Sequence, residues 1–156
     1  MQLSFHTVAS TYRDDEQPAL RARYTNDRAA PIALSFWWNR AMRITDANGV
    51  LVVPSPGSVL PCGMAETLEI LVPGASFERD EPLGCTQPGG RSENIGWSYK
   101  LAPGRYTIML VFESPPAHGF VQHAPDPREF RGRVESNAVT VTITAAPPRK
   151  KLLGIF

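Results

Sequence analysis

The run Val139-Thr140-Val141-Thr142-Ile143-Thr144 repeats every two residues, apolar then hydroxyl. That period belongs to a strand with one buried face; a helix would scatter the same residues around its surface. Leu101-Ala102-Pro103-Gly104-Arg105-Tyr106 leads into the apolar run Thr107-Ile108-Met109-Leu110-Val111-Phe112. Pro-Gly and Asn-Gly pairs cut the chain between such runs. Gly and Asn accept the positive φ angles of tight turns, and Pro presets its own. Fifteen prolines are present, and none interrupts the strongest alternating runs. They sit at run edges, where a sheet tolerates a residue without a backbone donor. The pattern predicts an all-β, antiparallel β-sandwich.

Strands are expected over Gln2–Ser10, Pro18–Asn26, Pro31–Phe36, Arg40–Asp46, Val50–Val53, Glu66–Val72, Ala75–Asp80, Ile95–Leu101, Tyr106–Glu113, Phe130–Asn137 and Ala138–Thr144. Leu20, Ala22 and Tyr24 should face inward, as should Met42 and Ile44. Tyr106–Glu113 is apolar on both faces and belongs at the centre of its sheet. The remaining segments read as connections. Thr11–Gln17 is acidic, Trp37-Trp38-Asn39 is a corner, and Pro54–Met64, Glu81–Asn94 and Ser114–Arg128 are long loops. No helix longer than a turn is expected. One domain fills 1–146, and 147–156 is a Pro-led tail.

If direction reverses at each connection, the short ones (Asn26–Ala29, Asn48-Gly49, Pro73-Gly74, Pro103-Gly104) share one end. The five just named share the other, and most of those are long. Structureless loops beyond about 12–15 residues are commonly functional. A binding site on the long-loop end is the expectation.

A net charge of +1 gives no reason to expect nucleic acid or an anionic membrane as partner. Arg149-Lys150-Lys151 reads as a solvated terminus. No apolar stretch approaches membrane-spanning length, and Met1-Gln2-Leu3-Ser4-Phe5 does not open a signal peptide, so the expected location is cytoplasmic. The sequence has no GxSxG elbow and no Gly-rich strand-to-helix loop. Asp14-Asp15 and Asp80-Glu81 read as solvated loop charge rather than catalytic pairs. Asp46-Ala47-Asn48-Gly49 lacks the later acid of a calcium loop and reads as a hairpin turn. The expectation is therefore no enzyme and no cofactor.

Cys62, Cys85, His118 and His123 all fall in long loops and have the donor types of a zinc site. They lack the tight ligand pairs such sites use, so a Cys62–Cys85 bridge or two free thiols is preferred, and both readings stay open. His6 reads as a surface strand residue. One of Trp37 and Trp38 must point outward, and Trp38 is the chosen anchor. Trp38, His118, Phe120 and His123 are the expected contacts, with Arg91 and Arg128 as polar rim.

Tyr24-Thr25-Asn26, Pro31-Ile32-Ala33-Leu34-Ser35-Phe36 and Ile44-Thr45-Asp46-Ala47-Asn48-Gly49 together resemble the opening half of bacterial immunoglobulin-like domains. They are similar to those classed with the bacterial intracellular proteinase inhibitors. Leu101–Tyr106 resembles their Leu-x-Pro-Gly-x-Tyr segment, and Ser136-Asn137 also recurs before their last strand. The resemblance implies an immunoglobulin-like fold and carries over no inhibitory residue. The Asn-Pro-Thr-Thr-Gly loop of the related chagasin-type inhibitors is missing here. The resulting expectation is a non-enzymatic module with a protein partner. The alternatives are a proteinase inhibitor, a carbohydrate-binding module, a zinc-dependent site, and an interface in a homo-oligomer.

Overall fold

The computed structural model describes residues 1–36, 40–61, 68–89, 93–114 and 126–147, with backbone only at 55–61, 84–89 and 93–98. The described residues are all-β. In chain order the strands are β1 Gln2–Thr7, β2 Thr11–Arg13, β3 Leu20–Thr25, β4 Ile32–Ser35, β5 Arg40–Asp46, β6 Ser55–Pro61, β7 Leu68–Leu71, β8 Ser76–Glu81, β9 Gly84–Gly89, β10 Glu93–Ser98, β11 Gly104–Ser114, β12 Gly132–Glu135 and β13 Val139–Thr144.

One antiparallel sheet runs β1-β3-β8. A second is built on β11, flanked by β5 along one side and by β13 and β12 along the other. β2 joins it parallel to β13. The central place expected for Tyr106–Glu113 follows from its apolar composition, which suits a strand paired on both sides. β4 pairs with β7. Leu20, Ala22 and Tyr24, and across from them Met42 and Ile44, are buried as the alternation predicts. Tyr24 of β3 and Phe112 of β11 meet edge-on at 5.6 Å between ring centroids, and Phe36 packs on Tyr24 at 5.0 Å. These rings join the two sheets.

Three expectations need correction. The expected loops Pro54–Met64 and Glu81–Asn94 contain β6 and β9, and β10 begins at Glu93. These strands form a sheet in the order β6-β10-β9. Their Pro, Gly and Gln hid them from an apolar count, yet Pro56, Pro61 and Pro88 all lie on the two outer strands, where a missing donor costs little. Pro73-Gly74 turns the chain as expected, with Gly74 at φ 78°, and the strands on either side belong to different sheets. The return at Val50–Val53 shrinks to one bridge, Thr45 to Leu51.

The third correction concerns the sorting of connections. Phe5 is bonded by the Asn137 side chain, Ser10 accepts from Thr142 N, and Arg13 pairs with Thr144. The order is the same along both segments, so β1 continues into β2 without reversing. The expected reversal between β1 and β3 is intact, since the two are antiparallel. β5, opposed to β11 and so aligned with β13 and β1, runs against β3, where one intervening strand should have aligned them. The alternation count therefore slips between β3 and β5. Arg13 lies near the beginning of β11, because Gly104 pairs with Ile143. Arg40 pairs with Phe112, and Ser114 with Gly132, at its far end. Eleven residues of strand separate the ends by roughly 34 Å. The Thr11–Gln17 connection thus sits away from the stems of Trp37–Asn39 and Ser114–Arg128. The latter two do share an end.

The motifs of the family resemblance turn out to be joints. Tyr106 Oη donates back to Ala102 O at 2.9 Å, closing the Pro103-Gly104 corner. Asn137 mimics a strand partner for Phe5, with Oδ1 accepting from Phe5 N and Nδ2 donating to Phe5 O, each at 2.8 Å. Ser136 Oγ accepts from Leu110 N at 3.0 Å. Tyr106→Phe should cost about 1 kcal/mol in urea unfolding, the value of one such bond. A loss below about 0.3 kcal/mol, well under that range, would show the corner closed by its turn alone.

Candidate functional site

Strand parity builds an unusual cluster between β5 and β8. Inward positions of β5 run Arg40, Met42, Ile44, and those of β8 run Phe77, Arg79, Glu81. Charged residues thus occupy positions that an apolar core would normally claim. Glu81 is 3% exposed. Its carboxylate pairs with Arg40 Nη1, accepts from Tyr24 Oη at 3.0 Å, and lies 3.6 Å from Arg79 Nε. The Arg79 guanidinium stacks 4.9 Å from the Phe36 ring centroid, and Arg40 Nη2 donates to Phe36 O at 3.1 Å. Burial is the main influence on Glu81. It pushes the carboxyl above its ordinary range, against the pull of Arg40 and Arg79. Burial also lowers Arg79, and the charge of Arg40 adds to that. Tyr24 is held well above the ordinary phenol range, first by burial and then by the Glu81 charge.

One carboxylate faces two guanidiniums, so the cluster has a surplus of positive charge. Arg40 Nε and Ser114 Oγ are both buried with no hydrogen-bond partner among the described residues. Buried polar atoms are normally paired, so two orphans near one end of β11 call for an explanation. Both lie on the inner face, since Arg40 is across from Phe112 and Ser114 is two residues further along. The site has donors to offer an acceptor. Among the described residues it presents no exposed nucleophile beside a base.

Arg128 is described, and it is engaged locally. Its N and Nε donate to Asp126 Oδ1 at 2.8 and 3.0 Å, and its Nη2 to Oδ2 at 2.7 Å. Arg128 O accepts from Ala33 N, and Phe130 N donates to Ala33 O, which fastens this stem to β4. Trp38, Arg91, His118, Phe120, His123 and Cys62 lie outside the described residues. Cys85 is in β9, its Cα opposite that of Trp97. Among the described residues no three or more His, Cys, Asp or Glu side chains gather as a metal site. His6 is exposed on β1. Asp46 Oδ1 accepts from Asn48 N and Val50 N, so this carboxylate caps its own turn, and Gly49 takes φ 79° there.

Glu81 is a correction. The Asp80-Glu81 pair reads from sequence as solvated loop charge, but both residues are in β8 and only Asp80 is solvated. Asp80 is exposed and bound by Arg21 Nε at 2.8 Å. β8 extends one residue beyond the expected Ala75–Asp80, which turns Glu81 inward. The signal was present as parity: Phe77, Arg79 and Glu81 are two apart, as are Arg40 and Met42.

No helix among the described residues is long and apolar enough to cross a membrane. No known protein family, curated protein or solved structure was found to match this chain.

Proposed function

We propose that this chain is an immunoglobulin-like β-sandwich that binds a protein partner without catalysis, through the end where β11 finishes. The strand order supports the fold reading. β1, β3 and β8 occupy the places of strands A, B and E, while β5, β11 and β13 occupy those of C, F and G. The shift of the first strand from one sheet to the other, and the Tyr106 corner, are further marks of that architecture.

The observation behind the binding reading is the pair of orphaned atoms, Arg40 Nε and Ser114 Oγ, at the stems of Trp37–Asn39 and Ser114–Arg128. A partner's carbonyl or carboxylate would complete them. Trp38, His118, Phe120 and His123, on the connections that share those stems, are the proposed contacts.

The test places a photo-crosslinking residue at 38, at 120 and, as control, at exposed Leu51, which pairs with Thr45 near the opposite end. The expected result is one protein captured from 38 and 120 but not from 51, and bound again when purified. Trp38→Ala should then weaken binding by about 2 kcal/mol, roughly thirtyfold, as a central anchor does. Equal capture from 51, or none from 38 and 120, overturns the site. A captured protease that the chain inhibits would select the inhibitor reading.

A further inference from the structure

At the opposite end of β11 lies a cleft of about 290 Å³. Leu83, Leu101 and Ile143 line it and are almost fully buried. Asp14, Asp15 and Glu16 line it as well, against two cations, Arg13 and Lys100. Its volume falls just below the range of about 300–1,000 Å³ usual for small-molecule sites, and suits a few side chains better. The chain itself passes the cleft on its way out. Ile143 is in β13, and three residues later Ala146 N donates to Asp14 Oδ1 at 2.8 Å. Beyond Pro147 the sequence reads Pro148-Arg149-Lys150-Lys151-Leu152-Leu153-Gly154-Ile155-Phe156.

We propose that this cleft is the docking site of the chain's own segment Arg149–Phe156, which lies outside the described residues. Three features argue for this occupant over any other. The first is proximity: ten residues from Ala146 reach up to about 33 Å, far more than the cleft requires. The second is charge. Three consecutive cations follow the exit point, and the cleft has more carboxylates than cations. Arg13 Nε reaches both Glu16 Oε1, at 3.0 Å, and Asp15 Oδ1, at 3.3 Å, so two of the carboxylates share one guanidinium and the acidic side keeps a surplus of negative charge. The third is chemistry. Leu152, Leu153, Ile155 and Phe156 follow the basic run, matching a cleft with acids beside buried apolar groups.

The full chain tests this with Phe156 replaced by p-benzoylphenylalanine. On irradiation, cross-links within one molecule should map to residues 13–18, 83 or 99–101. Lys150→Glu with Lys151→Glu should lower their yield about fivefold, the effect of two exposed ion pairs of ordinary strength. Adding Asp15→Lys to that variant should restore part of it. Cross-links to other surfaces, a cross-linked dimer whose yield rises with concentration, or no cross-link at all would each overturn the proposal. The dimer would assign the cleft to a second copy instead.

Discussion

Glu81→Ala is expected to destabilise the protein by about 3–5 kcal/mol, the usual cost of removing one partner from a buried ion pair. Alanine takes away the acceptor of Tyr24 Oη and the counter-charge of Arg40 and Arg79 together. Glu81→Gln keeps an acceptor of similar size and drops only the charge, so it should cost far less. The direction of the carboxyl's shift points the same way. Burial raises it above its ordinary range, so the native state holds the proton to higher pH than the unfolded chain does. In the interval between the two values the folded state binds more protons. This group's contribution to stability therefore falls as the pH rises through that interval. Glu81→Gln should remove that slope from urea unfolding measured between the ordinary glutamate range and neutrality. Arg40→Met combined with Glu81→Met should recover much of the alanine loss, because well-packed apolar replacements avoid desolvation. If Glu81→Ala and Glu81→Gln cost the same, the charge and not the acceptor holds the cluster.

Alternation made the inner faces of β3, β5 and β11 legible, since Tyr24, Ile44 and Phe112 sit at positions that only burial explains. It failed where pairing rather than burial makes the strand. β9 reads Gly-Cys-Thr-Gln-Pro-Gly and owes its place to the ladder with β10. It failed again at Thr7–Arg13, where a change of sheet without a change of direction has no turn chemistry to announce it. The sorting of loops failed elsewhere, between β3 and β5, which run in opposite directions although β4 intervenes. The candidate cluster was hidden for another reason. A glutamate is solvated far more often than buried, and nothing local in Arg79-Asp80-Glu81 says which acid turns inward. Only the register with Leu20 and Asp80's pairing with Arg21 decide it. Trp38, His118, Phe120 and His123 lie outside the described residues and remain proposals, on connections whose stems at Arg40 and Ser114 lie at one end of β11.

Asn26→Ala should cost about 3 kcal/mol, and Asn26→Asp at least as much, though aspartate is the closer match in shape. Asn26 is fully buried, and its side chain makes three bonds. Nδ2 donates to Ala30 O and to Leu71 O, both at 2.9 Å, and Oδ1 accepts from Arg28 N at 2.9 Å. Its backbone adds two more, N to Ala75 O and O from Gly74 N. One residue thus ties the β3–β4 connection to the β7–β8 turn, joining strands of different sheets. Alanine leaves two carbonyls and one amide without these partners. Buried groups stranded in this way cost about 1–3 kcal/mol each, and some relaxation toward water offsets part of the sum. Aspartate restores the acceptor for Arg28 but points an oxygen at both carbonyls and puts a charge in a buried site. The order of the two variants is the discriminating result. If aspartate proves milder than alanine in urea unfolding, shape and the Arg28 bond hold this joint. If it proves equal or worse, the two donations from Nδ2 hold it, which would explain why the Tyr-Thr-Asn element ends in an amide rather than an acid.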